Sequence, residues 1–295
     1  MGWLRGLGIT LILGVSLLAG LVAFAARSIP ARDAVGASRI VASGDASIQY
    51  FVGGTQGAAV PVVLVASYAR SAADFNELVV ALNAAGHPTY AVETRGVRES
   101  TLPSVSVTLH TFAADIDAVL QAEGVERPIV MLGHAYGNRI ARTYSSDFPD
   151  KVAQLVLLAA GGEEPTPEEV SGSIGKAQFA IFPEETRRKA VHHAFFAEAS
   201  EVDEGWMKGW YPIAGIAQVQ AMQATPNVEW ADGGIAPILV LQPAEDAAAP
   251  GGGPALKARL PDRVTVVEIA NAGHALLPEQ PERVRDTILG HIGAL

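Results

Sequence analysis

The chain has 295 residues, 49% of them hydrophobic and 18% charged, which is enough for one sizeable core with an insertion. A formal net charge of -10 argues against a nucleic-acid partner. The absence of cysteine removes disulfides, thiolate catalysis and cysteine-based metal sites.

Arg5 precedes an uncharged run over residues 6–26, closed by Arg27 and Arg32. A basic start and an Ala23-Phe24-Ala25 site fit a cleaved secretory signal. The run exceeds the roughly 7–15 residues of such a signal, and about 20 suffice to span a bilayer, so an uncleaved anchor fits equally. Residues 1–28 are taken as signal peptide or membrane anchor. The domain beyond is expected outside the cytoplasm, either periplasmic or secreted, or held at the membrane by this segment. Residues 29–45, with Pro30 and small side chains, look like a linker.

Residues 47–52 alternate as a strand does. Residues 61–66 form a continuous apolar run, as in a strand buried on both faces of a parallel sheet. A helix is predicted over residues 72–85, with Phe75, Leu78, Val79 and Leu82 at helical spacing and Gly86 after it. A strand at 89–92, a helix at 108–123, a strand at 129–132, a helix from Asn138 and a strand at 152–159 follow. From Glu163 to about Asp232 no strand is convincing. Residues 184–199 and 201–210 are expected as short helices carrying Phe195, Phe196, Trp206 and Trp210. The alternation then resumes with strands at 235–242 and 264–269, a helix near 254–259 and a last one from Pro281. Alternating strands and helices predict an α/β fold with a mostly parallel sheet. A core of 46–162 and 233–295 is interrupted by a helical cap at 163–232, after the sixth strand.

In residues 129–144, IVMLGHAYGNRIARTY, a short strand breaks at Gly133 and a helix starts past Gly137. Two glycines flanking one residue at such a turn match a nucleophile elbow. The central residue is Ala135, which carries no nucleophilic atom.

The layout resembles the α/β-hydrolase superfamily, of lipase-like and esterase-like members with a single helical cap, over residues 46–292. Five stretches carry the resemblance in the family's order. Residues 70–75 stand where the oxyanion loop does, and Glu93-Thr94-Arg95-Gly96 resembles a D-x-R-G turn. Residues 133–137 form the elbow. Residues 241–250, LQPAEDAAAP, occupy the acid-bearing loop, and Asn271-Ala272-Gly273-His274 resembles the histidine loop.

The resemblance implies Asp246 and His274 as acid and base, with Ala135 at the nucleophile position. A carboxylate that accepts the Nδ1 hydrogen of an imidazole fixes its tautomer and raises its basicity. Glu245 is the alternative acid. The backbone N–H of Tyr136 and that of Tyr68 or Ala69 are implied as oxyanion donors. Ser67 stands where the family has glycine. Either its hydroxyl enters the pocket or a small residue is tolerated there. Trp206, Trp210, Tyr211, Phe195 and Phe196 are candidates either for the pocket wall or for the cap's own core. His134 is expected to be structural, His192 and His193 to face solvent, and Arg70 with Asp74 to form a structural pair. No metal cluster, phosphate loop or dinucleotide fingerprint is visible, so no metal or cofactor is implied.

Alanine at the elbow excludes serine acyl transfer and leaves three accounts. The first is noncovalent acid–base chemistry at His274 on a small apolar ester, lactone or ketone. The second is a ligand-binding module that keeps the pocket. The third is a serine esterase in which the nucleophile was replaced by engineering.

Overall fold

The computed structural model describes residues 27–161 and 165–293. The stretch taken as signal or anchor thus lies almost wholly outside the described residues. Eight strands form one sheet in the order β1-β2-β4-β3-β5-β6-β7-β8. They are β1 (Ala37–Ser43), β2 (Ala46–Gly53), β3 (Val62–Val65), β4 (Thr89–Val92), β5 (Ile129–His134), β6 (Val152–Leu158), β7 (Ile238–Pro243) and β8 (Val264–Ile269). β1 with β2 and β2 with β4 pair antiparallel, and every other pair is parallel. Part of the stretch expected as a linker is therefore β1, one arm of a hairpin turning at Gly44 with φ 55°. β1 is largely exposed, so it lacks the apolar pattern that marks a buried strand.

Period-two alternation sorts the sheet's side chains into two cores. Val63, Val65 and Met131 lie on one face with Phe112 and Ile116 of α2 (Leu109–Ala122) and Ile140 and Tyr144 of α3 (Tyr136–Asp147). Val62, Leu64, Val130 and Leu132 lie on the other, against Phe75, Leu78 and Leu82 around α1 (Asn76–Ala84) and Val284 and Ile288 of α10 (Pro281–Ile292). The central strands are buried on both sides, which is why they appear in sequence as unbroken apolar runs.

Between β6 and β7 the chain builds the cap: α4 (Glu168–Gln178), α5 (Glu184–Phe195), α6 (Pro212–Ala224) and α7 (Asn227–Trp230). Two expectations need correction here. α5 stops at Phe195, because Phe196 is extended (φ -108°, ψ 150°) and the Phe195 carbonyl accepts the Ala275 N–H at 2.7 Å. Residues 201–210 form turns and no helix. The Asp203 side chain caps the Gly205 N–H at 2.7 Å, and Gly209 sits at φ 73°. α4, interspersed with serine and glycine, and α6, rich in alanine and glutamine, escaped the periodicity reading. After β7, α8 (Gly252–Arg259) packs on the sheet, and α9 (Leu276–Glu279) follows the histidine loop.

Candidate active site

The elbow is built as its glycines demand. β5 ends at His134, Ala135 adopts φ 50°, ψ -109°, and α3 starts at Tyr136. A Cβ on Gly133 would lie 2.4 Å from the Gly137 carbonyl oxygen, and one on Gly137 would lie 2.2 Å from the Val65 oxygen. Only glycine lets β3, β5 and α3 approach this closely. Ala135 is held by its N–H to the Leu158 carbonyl at 2.9 Å. The turn is intact around a methyl group.

Asp246 and His274 converge from the loops after β7 and β8. Those loops are tied together by Ala244 N–H to the Ile269 carbonyl and Glu245 N–H to the Ala272 carbonyl, both at 3.0 Å. The His274 Nδ1 lies 2.8 Å from the Asp246 Oδ1, and the two side chains are 7% and 1% exposed. The same oxygen accepts the Ala248 and Ala249 N–H groups at 3.0 and 2.9 Å. Burial pushes the Asp246 carboxyl up, but the His274 imidazole and these hydrogen bonds outweigh it and hold it below the ordinary carboxylate value. Asp246 is therefore an anion with Nδ1–H of His274 donated to it, which makes Nε2 the basic nitrogen. Glu245 turns elsewhere, accepting the Glu198 N–H at 3.1 Å. Of the two candidate acids, Asp246 is the one the fold brings to His274.

His134 supports this pair from below. It is fully buried, and its Nε2 donates to the His274 carbonyl at 2.8 Å. Desolvation, then the neighbouring His274, lower its pKa to about 3, so the ring is neutral. Glu279 fixes the loop from the other side, accepting the Gly273 N–H at 2.8 Å and the Ala197 N–H of the cap at 2.9 Å.

Of the expected oxyanion donors, Tyr136 is the first residue of α3, so no carbonyl within its own helix reaches its N–H. The Ala69 N–H is already taken by Gln218 Oε1 at 2.7 Å, which leaves Tyr68 as the remaining candidate for a second donor. Gln218, on α6 and fully buried, also donates to Thr94 Oγ1 at 3.1 Å, and its carbonyl accepts the Tyr136 hydroxyl at 2.7 Å. One cap residue thus grips both sides of the donor pair. Its role was not foreseen: Pro212 and Pro226 bracket the helix in sequence, but nothing in residues 209–228 marks Gln218 itself.

Ala135, Tyr136, Ser67, Tyr68 and His274 line one cavity of about 630 Å³. Ser67 stands beside the elbow because Val65 of β3 pairs with Gly133 of β5, and both chains run two residues further. Phe195, Ile174, Met222 and Trp230 supply apolar wall. Trp206 and Trp210 do not line it. They are 3% and 0% exposed and meet at 75°, with the Arg70 guanidinium in the angle between them at 4.5 and 4.6 Å from their ring centroids. These two were pocket candidates and are cap core. A cation between their faces, paired with Asp74 at 2.6 Å, explains the placement. Trp230, unforeseen, takes the wall position and stacks on buried Arg142 at 4.6 Å. His192 bonds the Ser200 carbonyl and His193 the Ser173 hydroxyl. Among the described residues no His, Cys, Asp and Glu cluster can hold a metal ion.

The fold and the elbow–acid–histidine geometry define a class, and comparison agrees. The family model described as alpha/beta hydrolase fold matches residues 60–212, and the chain belongs to that family. A non-heme chloroperoxidase of Streptomyces lividans is 25% identical over 259 residues, covering 79% of this chain and 91% of that protein. Among solved structures, a membrane phospholipase A superposes with a TM-score of 0.72 at 19% identity, covering 98% of this chain and 97% of that one. The enol-lactonase from Burkholderia xenovorans LB400 gives 0.72 at 20% identity, with 86% and 100% covered. An esterase from Thermogutta terrifontis gives 0.71 at 21%, with 88% and 99% covered. At these identities the structural likenesses speak to fold alone.

Proposed function

We propose that this α/β-hydrolase-fold protein performs noncovalent acid–base chemistry on a small, largely apolar ester-, lactone- or ketone-like molecule. One observation carries the reading: an anionic Asp246 fixes His274 on the wall of a roughly 630 Å³ cavity whose elbow residue is a methyl group. With no Oγ at position 135, an acyl-enzyme at the elbow is out of reach. His274 instead takes a proton from water, which attacks the carbonyl carbon, or directly from the substrate. The Tyr136 and Tyr68 N–H groups stabilise the oxyanion that develops, and the imidazolium returns its proton to the leaving group. The enol-lactonase and esterase neighbours are in keeping with a carbonyl substrate. The leader is read as exporting the domain, with residues 6–26 retained as an anchor. A membrane phospholipase A among the neighbours agrees with that setting.

A second reading, ligand binding without turnover, is favoured by the same methyl group. Assaying a panel of esters and lactones with the wild type, Ala135→Ser and His274→Ala decides between them. Wild-type turnover that His274→Ala lowers by about 10²-fold or more is the expected result. Turnover appearing only in Ala135→Ser, with wild-type protein stabilised by a ligand recovered unchanged, would establish the binding module. Wild-type turnover indifferent to His274→Ala would remove His274 as the base.

A further inference from the structure

The first described residues are fastened to the cap. Ile29 and Trp210 exchange backbone hydrogen bonds at 2.8 and 3.0 Å, and the Ala31 N–H reaches the Tyr211 hydroxyl at 3.4 Å. The described chain therefore begins beside the start of α6, with Ile29 and Ala31 against Trp210 and Tyr211.

α6 is unusual for a surface helix. Such helices ordinarily carry charge on the side away from the core. Here residues 209–228 contain no charged side chain, in a chain of formal charge -10. Ile213 and Ile216 are 42% and 46% exposed, and beyond α6 Val228 is 91% exposed. Ile213, Ile216, Val219 and Gln223 follow one another at helical spacing, and the last two line the cavity. Asn227 and Trp230, on either side of Val228, line it too. The acid next in sequence, Glu229, is engaged by His110 Nε2 at 2.8 Å. An uncharged track, apolar at Ile213, Ile216, Val219 and Val228 and otherwise amide-bearing, thus runs from the start of α6 to the rim of the cavity.

We propose that the exposed face of α6, continued by Val228, rests on a lipid bilayer, and that the cavity takes its substrate from the lipid phase. This rests on the reading of residues 6–26 as a retained membrane anchor. The anchor fixes the domain within reach of the membrane and beside α6. The face itself then needs no headgroup charge, and with net negative protein a zwitterionic bilayer suits it. An amphipathic carbonyl compound dissolved in lipid would enter along the isoleucine track.

The chain has no cysteine, which makes the test clean. Full-length Ile213→Cys, Ile216→Cys and, as a reference, Glu126→Cys are labelled with an environment-sensitive fluorophore and reconstituted in phosphatidylcholine vesicles containing spin-labelled lipid. Glu126 is exposed and precedes β5, at the end of the sheet away from the elbow. Labels at 213 and 216 are expected to shift to the blue and to be quenched several-fold more than the label at 126. If all three remain equally wet while the protein floats with the vesicles, the docking is overturned and the anchor stands. Protein that does not float overturns both. A blue shift that persists without lipid and accompanies a dimer's mass gives the face to a second copy of the chain and overturns the bilayer assignment.

Discussion

At the scale of single residues, the site depends on groups that never touch substrate. His134 is the clearest case. Burial and the neighbouring His274 hold its pKa down to about 3, against an ordinary 6.5. Below pH 6.5 the unfolded chain takes up a proton that the folded protein refuses, so stability falls as pH falls, over the window from about 6.5 to about 3. One proton corresponds to a slope of about 1.4 kcal/mol per pH unit. In denaturant unfolding at a series of pH values, the stability of the wild type relative to His134→Gln is expected to fall by about that slope through this window. The difference is the readout, because buried Glu93, raised to about 7, titrates there with the opposite sign. Equal slopes would mean that His134 is protonated in the fold.

At the scale of elements, α6 is both a wall of the cavity and a brace for the oxyanion donors. Gln218→Ala leaves the buried Ala69 N–H without its acceptor, a loss of about 1–3 kcal/mol in stability. It also frees the loop bearing Tyr68, so turnover is expected to drop about tenfold to a hundredfold with KM nearly unchanged. Gln218→Glu keeps an acceptor for Ala69 and should recover most of the turnover. An Ala variant that turns over normally would reduce Gln218 to a packing residue. The elements themselves were unequally legible in sequence. β3, β5, β6 and β7 announced themselves because burial on both faces leaves almost only apolar side chains. The elbow and histidine loop were readable because close backbone approach admits glycine and little else. The exposed β1, and the small-residue helices α4 and α6, carry no such constraint. The cavity wall they make, and the exchange of Trp206 and Trp210 for Trp230, followed from tertiary contacts of Arg70 and Arg142 that no local spacing encodes.

At the scale of the whole molecule, Arg70 joins the core to the cap. From the loop after β3 it pairs with Asp74, donates to the Lys208 and Gly205 carbonyls at 2.5 and 3.2 Å, and fills the gap between two tryptophans. Arg70→Met strands the Asp74 carboxylate and is expected to cost about 3–5 kcal/mol in denaturant unfolding. The double variant Arg70→Met/Asp74→Leu should recover part of that, because the stranded charge goes with it. A double variant no better than the single would show that the cation between the rings, rather than the ion pair, carries the junction. The molecule also keeps a backbone that its present chemistry does not use. An alanine at φ 50°, ψ -109° is strained, and relaxing it would loosen the whole junction of β3, β5 and α3. Alanine and serine codons differ by a single base. The chain therefore sits one nucleotide from a serine at the elbow, on a turn already strained into shape and lining the same cavity as His274.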